Sequence, residues 1–273
     1  MKPINVGLLG TGTVGGGTFK VLQRNSEEIS RRAGCTIRIA VVADKDVVRA
    51  KAVAGDAARV TEDAFEVVND PQVDVVVELI GGYTIAKELM LKAIANGKHV
   101  VTANKALLAL HGNEIFSAAR KQGVMVAFEA AVGGGIPIIK SLREGLSANR
   151  IEWIAGIING TSNFILSEMR AKGAAFADVL KEAQNKGYAE ADPTFDIEGV
   201  DAAHKLAIMA AIGFGIPVQF DKAYVEGISK LAQQDIRYAE ELGYRIKLLG
   251  IAKRKAAGFE LRVHPTLIPA RQL

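Results

Sequence analysis

The sequence predicts an α/β protein: a doubly wound parallel sheet followed by an α+β unit. Three observations carry that expectation. Over the first 130 residues, short apolar runs alternate with amphipathic stretches, the order of βαβ units around a parallel sheet. The first apolar run ends in a glycine-rich turn that opens a helix. The texture changes at Val132-Gly133-Gly134-Gly135, after which several helical stretches and a pair of strands replace the alternation. The domain boundary is placed there, between 1–133 and 134–273.

Taken in order, Ile4–Leu9 reads as a buried strand and 14–32 as a helix. Residues 36–43 (TIRIAVVA) form a second strand. Residues 73–80 (VDVVVELI) are β-branched and bounded by Asp70-Pro71 and Gly81-Gly82, the clearest strand of the chain. A helix over 87–96 closes at Gly97. His99–Thr102 is a fourth strand, 114–122 a helix and 124–130 a fifth strand. In the second half, 137–146 reads as a helix and 151–158 as an apolar strand. Helices over 162–171, Phe176–Asn185 and 200–212 follow. Strands over 245–252 and 259–263 complete a mixed or antiparallel sheet packed against helices.

Composition narrows the function classes. With 49% hydrophobic and 23% charged residues, the chain is globular rather than disordered. The 34 basic and 30 acidic residues leave a net charge of +4 with no run of five like charges, so neither nucleic acid nor membrane is an expected partner. A small anionic ligand fits the same balance. The single cysteine, Cys35, cannot close an internal disulfide and points to a reducing compartment. The apolar run behind Met1-Lys2-Pro3 spans about six residues, against the roughly 18 of a membrane span, so a cytoplasmic protein is expected.

The turn after the first strand is Gly10-Thr11-Gly12-Thr13-Val14-Gly15, a G-x-G-x-x-G pattern. Gly10 permits a tight turn, Gly12 lets a pyrophosphate approach the backbone, and Gly15 lets helix and strand pack closely. Phosphates then rest on the N–H groups of the helix N-terminus. Asp44 ends the second strand, where a ribose-binding carboxylate belongs, and would repel a 2′-phosphate. Lys45 and Arg49 follow, and either is able to hold that phosphate, so NAD and NADP both stay open. The first domain is thus read as a Rossmann-type dinucleotide-binding domain.

In the second half, residues 183–205 hold the densest chemistry: AQNKGYAEADPTFDIEGVDAAHK. Asp201 and Lys205 stand at i and i+4 on one helical face, and by spacing alone a solvent-exposed ion pair is the plainer reading. This segment resembles the signature of homoserine dehydrogenase, with Gly187, Tyr188, Asp192, Pro193, Asp196, Gly199, Asp201 and Lys205 in register. Residues 10–17 (GTGTVGGG), Thr102-Ala103-Asn104-Lys105, residues 129–137 (EAAVGGGIP) and Asn159-Gly160-Thr161-Ser162-Asn163 are similar to that family's blocks.

The resemblance implies an NAD(P)-dependent oxidoreductase interconverting L-aspartate 4-semialdehyde and L-homoserine, in the pathway to threonine, methionine and isoleucine. It implies Lys205 as the acid/base that serves the developing alkoxide, a task for which a lysine pKa must fall towards neutral. It also implies Lys105 as a second active-site lysine, Glu190 on the substrate amino group, and Asp196 and Asp201 ordering the lysines or the substrate. Cofactor contacts are implied for Gly10, Thr11, Gly12, Thr13, Val14, Gly15, Asp44, Lys45, Thr102, Lys105 and Gly187. Glu129 and the carbonyls of Val132, Gly134 and Ile136 are implied as a monovalent-cation site, whose oxygen donors suit sodium. The second domain then serves substrate binding and dimerisation, with a homodimer or higher homo-oligomer expected. His99, His111, His204 and His264 have no ligand spacing. The family's chains continue past residue 273, so the catalytic domain is expected to lack its C-terminal part. A phosphorylating semialdehyde dehydrogenase needs a thiolate in the substrate domain, and Cys35 lies ahead of the second strand. The remaining alternative is an NAD-binding regulatory or scaffold protein of the same fold without turnover.

Overall fold

A computed structural model describes residues 2–272 and divides the chain into two units, Met1–Pro137 and Ile138–Leu273. In the first unit the elements run β1 (Ile4–Leu9), α1 (Thr13–Arg24), α2 (Ser26–Ala33), β2 (Ile37–Ala43), α3 (Val47–Ala54), β3 (Arg59–Thr61), α4 (Ala64–Asn69), β4 (Val75–Glu78), α5 (Thr84–Ala95), β5 (His99–Thr102), α6 (Lys105–Gln122) and β6 (Val126–Ala127). Among the described residues these strands form one six-stranded parallel sheet in the order β3-β2-β1-β4-β5-β6. This is the doubly wound sheet expected from the sequence. The order reverses between β1 and β4, and the carboxyl ends of those two strands open the crevice in which ligands bind. Leu8, Leu9, Val42 and Val76 are fully buried in the sheet, as continuous apolar strands of a parallel sheet must be.

Several elements depart from the sequence expectation. The helix over 14–32 breaks at Asn25, whose ψ of 19° leaves the helix before Ser26-Glu27-Glu28 restart it with acid in the first turn. The helix over 114–122 begins nine residues earlier, at Lys105, because the Asn104 carboxamide accepts the Leu107 N–H at 3.1 Å and caps it. Its apolar first half, KALLALHG, hides the helical period. The strand over 124–130 shrinks to β6, since Glu129–Ala131 turn into a 3-10 helix. Between Asp44 and β4 the sequence reading placed no elements, and α3, β3 and α4 fill that interval.

The second unit runs α7 (Ile138–Lys140), β7 (Trp153–Gly156), α8 (Gly160–Lys172), α9 (Phe176–Asn185), α10 (Thr194–Ile197), α11 (Val200–Phe214), β8 (Tyr224–Val225), α12 (Gln233–Glu241), β9 (Tyr244–Lys255) and β10 (Gly258–Pro269). The helix expected over 137–146 is α7 followed by a π turn, Ser141–Gly145. The mixed sheet has the order β7-β9-β10-β8, with only the β8–β10 pair parallel. Strands β9 and β10 pair along their whole lengths, well beyond the apolar runs that announced them. Leu248, Ala252, Leu261 and Val263 form its inner face, and α11, buried on nearly all sides, packs against it. No helix among the described residues is long and apolar enough to cross a membrane.

Candidate active site

The three glycines of the turn after β1 are required for different reasons. A Cβ on Gly15 would lie 2.0 Å from the Gly10 carbonyl oxygen, and one on Gly10 would lie 2.7 Å from the Leu79 carbonyl. Gly10 also holds φ at +91°. These two positions serve the protein's own packing. Around Gly12 a Cβ meets nothing within 4 Å, so its space lies open in front of the α1 N-terminus. Gly12 caps α1 without a side-chain hydrogen bond, whereas Asp46, Asp63 and Asn104 cap α3, α4 and α6 with theirs. The first-turn N–H groups of α1 have no side-chain acceptor there, the setting in which a pyrophosphate binds. Thr13 and Val14 are exposed on the same turn, and Thr11 is buried. A cavity of about 550 Å³ adjoins it, bounded by Gly10, Gly12, Asp44, Lys45, Arg49 and Ile80 among others. The residues present fit the adenosine and pyrophosphate part of a dinucleotide.

Asp44 stands at the end of β2 with its side chain 9% exposed. Its Oδ2 accepts the Thr11 N–H and the Thr11 hydroxyl, each at 2.6 Å, and its Oδ1 accepts the Asp46 N–H at 2.9 Å. Arg49 donates to both oxygens at 3.0 Å. Burial pushes the carboxyl pKa up, but the bonds from Thr11, Asp46 and Arg49 outweigh it and hold the pKa at about 2. The negative charge expected to oppose a 2′-phosphate therefore already has a guanidinium on it.

Thr102 ends β5, 2% exposed, with its hydroxyl turned to Glu78 rather than to solvent. Lys105 is the first residue of α6 and half-buried. Glu129 opens the 3-10 turn after β6, and Val132, Gly134 and Ile136 follow in a non-repetitive segment with Gly135 at φ +77°. The four proposed cation donors thus share one short stretch of the first unit.

In the second unit the structure brings Asp196, Asp201 and Lys205 together. Lys205 Nζ lies 2.8 Å from Asp201 Oδ2 and donates to the Ile158 carbonyl at 3.1 Å. The side chains are 19% and 6% exposed, so the solvent-exposed ion pair suggested by spacing alone is corrected to a largely buried one. Asn159 ties the group: its Nδ2 donates to Asp196 Oδ1 at 2.8 Å and to Asp201 Oδ2 at 2.9 Å, while its Oδ1 accepts the Ser162 N–H and caps α8. The amide lies between two carboxylates that would otherwise repel. Gly187, at φ +73°, and Glu190 lie exposed on the turn between α9 and α10. That turn is held by Gln184, which donates to the Glu190 and Ala191 carbonyls, and by Thr161, which donates to the Tyr188 carbonyl.

The sequence profile of the family described as "Homoserine dehydrogenase" matches residues 137–273, and that of "Homoserine dehydrogenase, NAD binding domain" matches 10–129. This chain belongs to the homoserine dehydrogenase family. A homoserine dehydrogenase of Pseudomonas aeruginosa is 68% identical over 273 residues, all of this chain and 62% of the relative. The crystal structure of a homoserine dehydrogenase from Thiobacillus denitrificans, 71% identical, matches with a TM-score of 0.97 over 100% of this chain and 63% of that one. A chain from Archaeoglobus fulgidus, 35% identical, matches with a TM-score of 0.85 over 97% of this chain and 84% of its own. The chain therefore spans about 62% of the curated homoserine dehydrogenases it matches. Likeness to named dehydrogenases gives the scaffold reading no support.

Within this member of the homoserine dehydrogenase family, sequence reasoning missed Asn159 and Glu78. Asn159 was visible as a helix cap in Asn-Gly-Thr, but nothing local tells that its other end holds two carboxylates. Glu78 was visible as one of two acids, with Asp74, inside the apolar strand run over 73–80.

Proposed function

We propose that the chain interconverts L-aspartate 4-semialdehyde and L-homoserine with NAD(P). The observation that carries this reading is the buried Lys205–Asp201 pair held by Asn159. NAD(P), when bound over the Gly10–Gly15 turn, supplies or takes up the hydride. The protein's own part is the proton. An ammonium has three donors, and two of those of Lys205 are committed to Asp201 and the Ile158 carbonyl. The third serves the substrate oxygen: it gives its proton as the aldehyde becomes the alcohol, and the amine takes it back in the reverse direction. Asp201 orients the ammonium and balances its charge. Glu190 binds the substrate amino group, and Lys105, the first residue of α6, is a second active-site lysine in this reading.

Glu129 with the carbonyl oxygens of Val132, Gly134 and Ile136 holds a sodium ion in this reading, a donor set of hard oxygens. On the outer face of the second sheet, Trp153 and Tyr224 are 62% and 56% exposed, which supports coverage by a second copy in a homodimer. The single cysteine supports a cytoplasmic location.

The test is homoserine oxidation by the purified protein with NAD and NADP separately, repeated in sodium, potassium and choline salts for parent and Glu129→Ala. Absence of turnover with either cofactor sinks the assignment. Equal rates in all salts for both proteins sink the cation site.

A further inference from the structure

Glu78 ends β4 fully buried. Its Oε1 accepts the Ile80 N–H at 2.9 Å and its Oε2 accepts the Thr102 hydroxyl at 2.7 Å. Among the described residues no lysine or arginine pairs with it. A carboxylate taken from water without a cation is costly, and a β-branched residue would fill that place in a parallel sheet without the cost. Packing does not account for an acid here.

What the acid does is organise two loops at once. Glu78 and Thr102 are register partners on β4 and β5, at the carboxyl ends where this fold binds its ligands. The Thr102 hydroxyl donates its single proton to Glu78 Oε2. That leaves the lone pairs of Thr102 Oγ1 for the Asn104 N–H, at 2.9 Å. Asn104 in turn accepts the Leu107 N–H with Oδ1 and donates from Nδ2 to the Gly82 carbonyl at 2.5 Å. Three successive polar groups, Glu78, Thr102 and Asn104, are thus joined in one run of hydrogen bonds. The β4–α5 turn is thereby pinned at Ile80 and Gly82, and the first turn of α6 at Asn104 and Leu107, on either side of Lys105.

We propose that Glu78 is a positioning residue which, through Thr102 and Asn104, sets the first turn of α6 and with it the place of Lys105. This rests on the reading of Lys105 as an active-site lysine. Thr102→Val keeps the shape and removes the relay, Thr102→Ser keeps the hydroxyl, and Glu78→Gln turns a donor towards Thr102. The expected result is a fall in kcat of about tenfold or more in Thr102→Val and Glu78→Gln, larger than any change in KM for cofactor, with Thr102→Ser losing less than Thr102→Val because it keeps the hydroxyl. In a Lys105→Ala background the Thr102→Val loss should shrink to less than about twofold, because the residue being positioned is gone. Hydrogen exchange at the amides of residues 104–107 should quicken in Thr102→Val and Glu78→Gln while β1 is unchanged. A Lys105→Ala protein with parental kcat defeats the role of Lys105, and the relay then stands or falls on exchange alone. Unchanged exchange, or an equal loss of kcat with and without Lys105, overturns the relay even if the protein is an active dehydrogenase.

Discussion

Replacing Asp44 with asparagine should cost the first unit stability in a pH-dependent way. The Asp44 carboxyl is held at about 2, against an ordinary 3.8. Because the folded value lies below the unfolded one, the contribution is fully present above pH 3.8 and is lost as the pH falls through 2. The gap corresponds to roughly 2 kcal/mol at neutral pH, at 1.36 kcal/mol per pKa unit. About half should remain at pH 3 by the same linkage. Asparagine keeps the shape but cannot carry the charge that Thr11, Asp46 and Arg49 stabilise. Urea unfolding followed by circular dichroism at pH 7 and pH 3 measures the difference. The one tryptophan, Trp153, lies in the second unit, so its fluorescence follows that unit and serves as the control. A parent-to-variant gap as large at pH 3 as at pH 7, or none at pH 7, would refute the argument.

Three further outcomes follow from the same geometry. Asp44→Ser should shift the ratio of kcat/KM towards NADP from a parental NAD preference of about tenfold or less, and Lys45→Ala with Arg49→Ala should weaken NADP alone. An unchanged ratio in Asp44→Ser would mean that this carboxylate does not read the ribose. Lys205→Ala should lose about 10²–10⁴ in kcat with cofactor affinity retained, and should also lower the melting temperature because Asp201 is left buried without its cation; retained turnover with lost cofactor affinity contradicts the assignment. Gly12→Ala should fold like the parent yet bind NAD(P) poorly, whereas Gly15→Ala should lower the melting temperature, since its Cβ would meet backbone at 2.0 Å. Parental cofactor affinity in Gly12→Ala, by fluorescence titration, would show that no ligand approaches that turn.

Much of the fold was legible because parallel strands are buried on both faces and read as continuous apolar runs. β1, β2 and β4 announced themselves in this way, β5 by its β-branched pair Val100-Val101, and Gly97 marked a helix end. The failures have particular causes. Asn25 interrupts a stretch whose apolar period carries on past it, and the first half of α6 is too apolar to display a period. Pro265 argues against a strand, yet it lies inside β10. Only Arg262 and Val263 of β10 pair with β8, so no ladder partner on that side needs the missing N–H.

By itself the sequence determined whatever depends on neighbours within one turn or one strand: the G-x-G-x-x-G geometry and the placing of Asp201 and Lys205 on one helical face. Backbone sterics and helical periodicity act over a few residues, so residue types and spacing suffice for these. Only the tertiary structure decided which polar groups are taken out of water and what meets them there. Thr11 and Arg49 converge on Asp44, Thr102 on Glu78, and Asn159 on both Asp196 and Asp201. Most of these partners lie tens of residues apart. Their pairing depends on packing of the whole chain, because burial makes an unmet polar group costly and burial is a property of the fold rather than of any local segment.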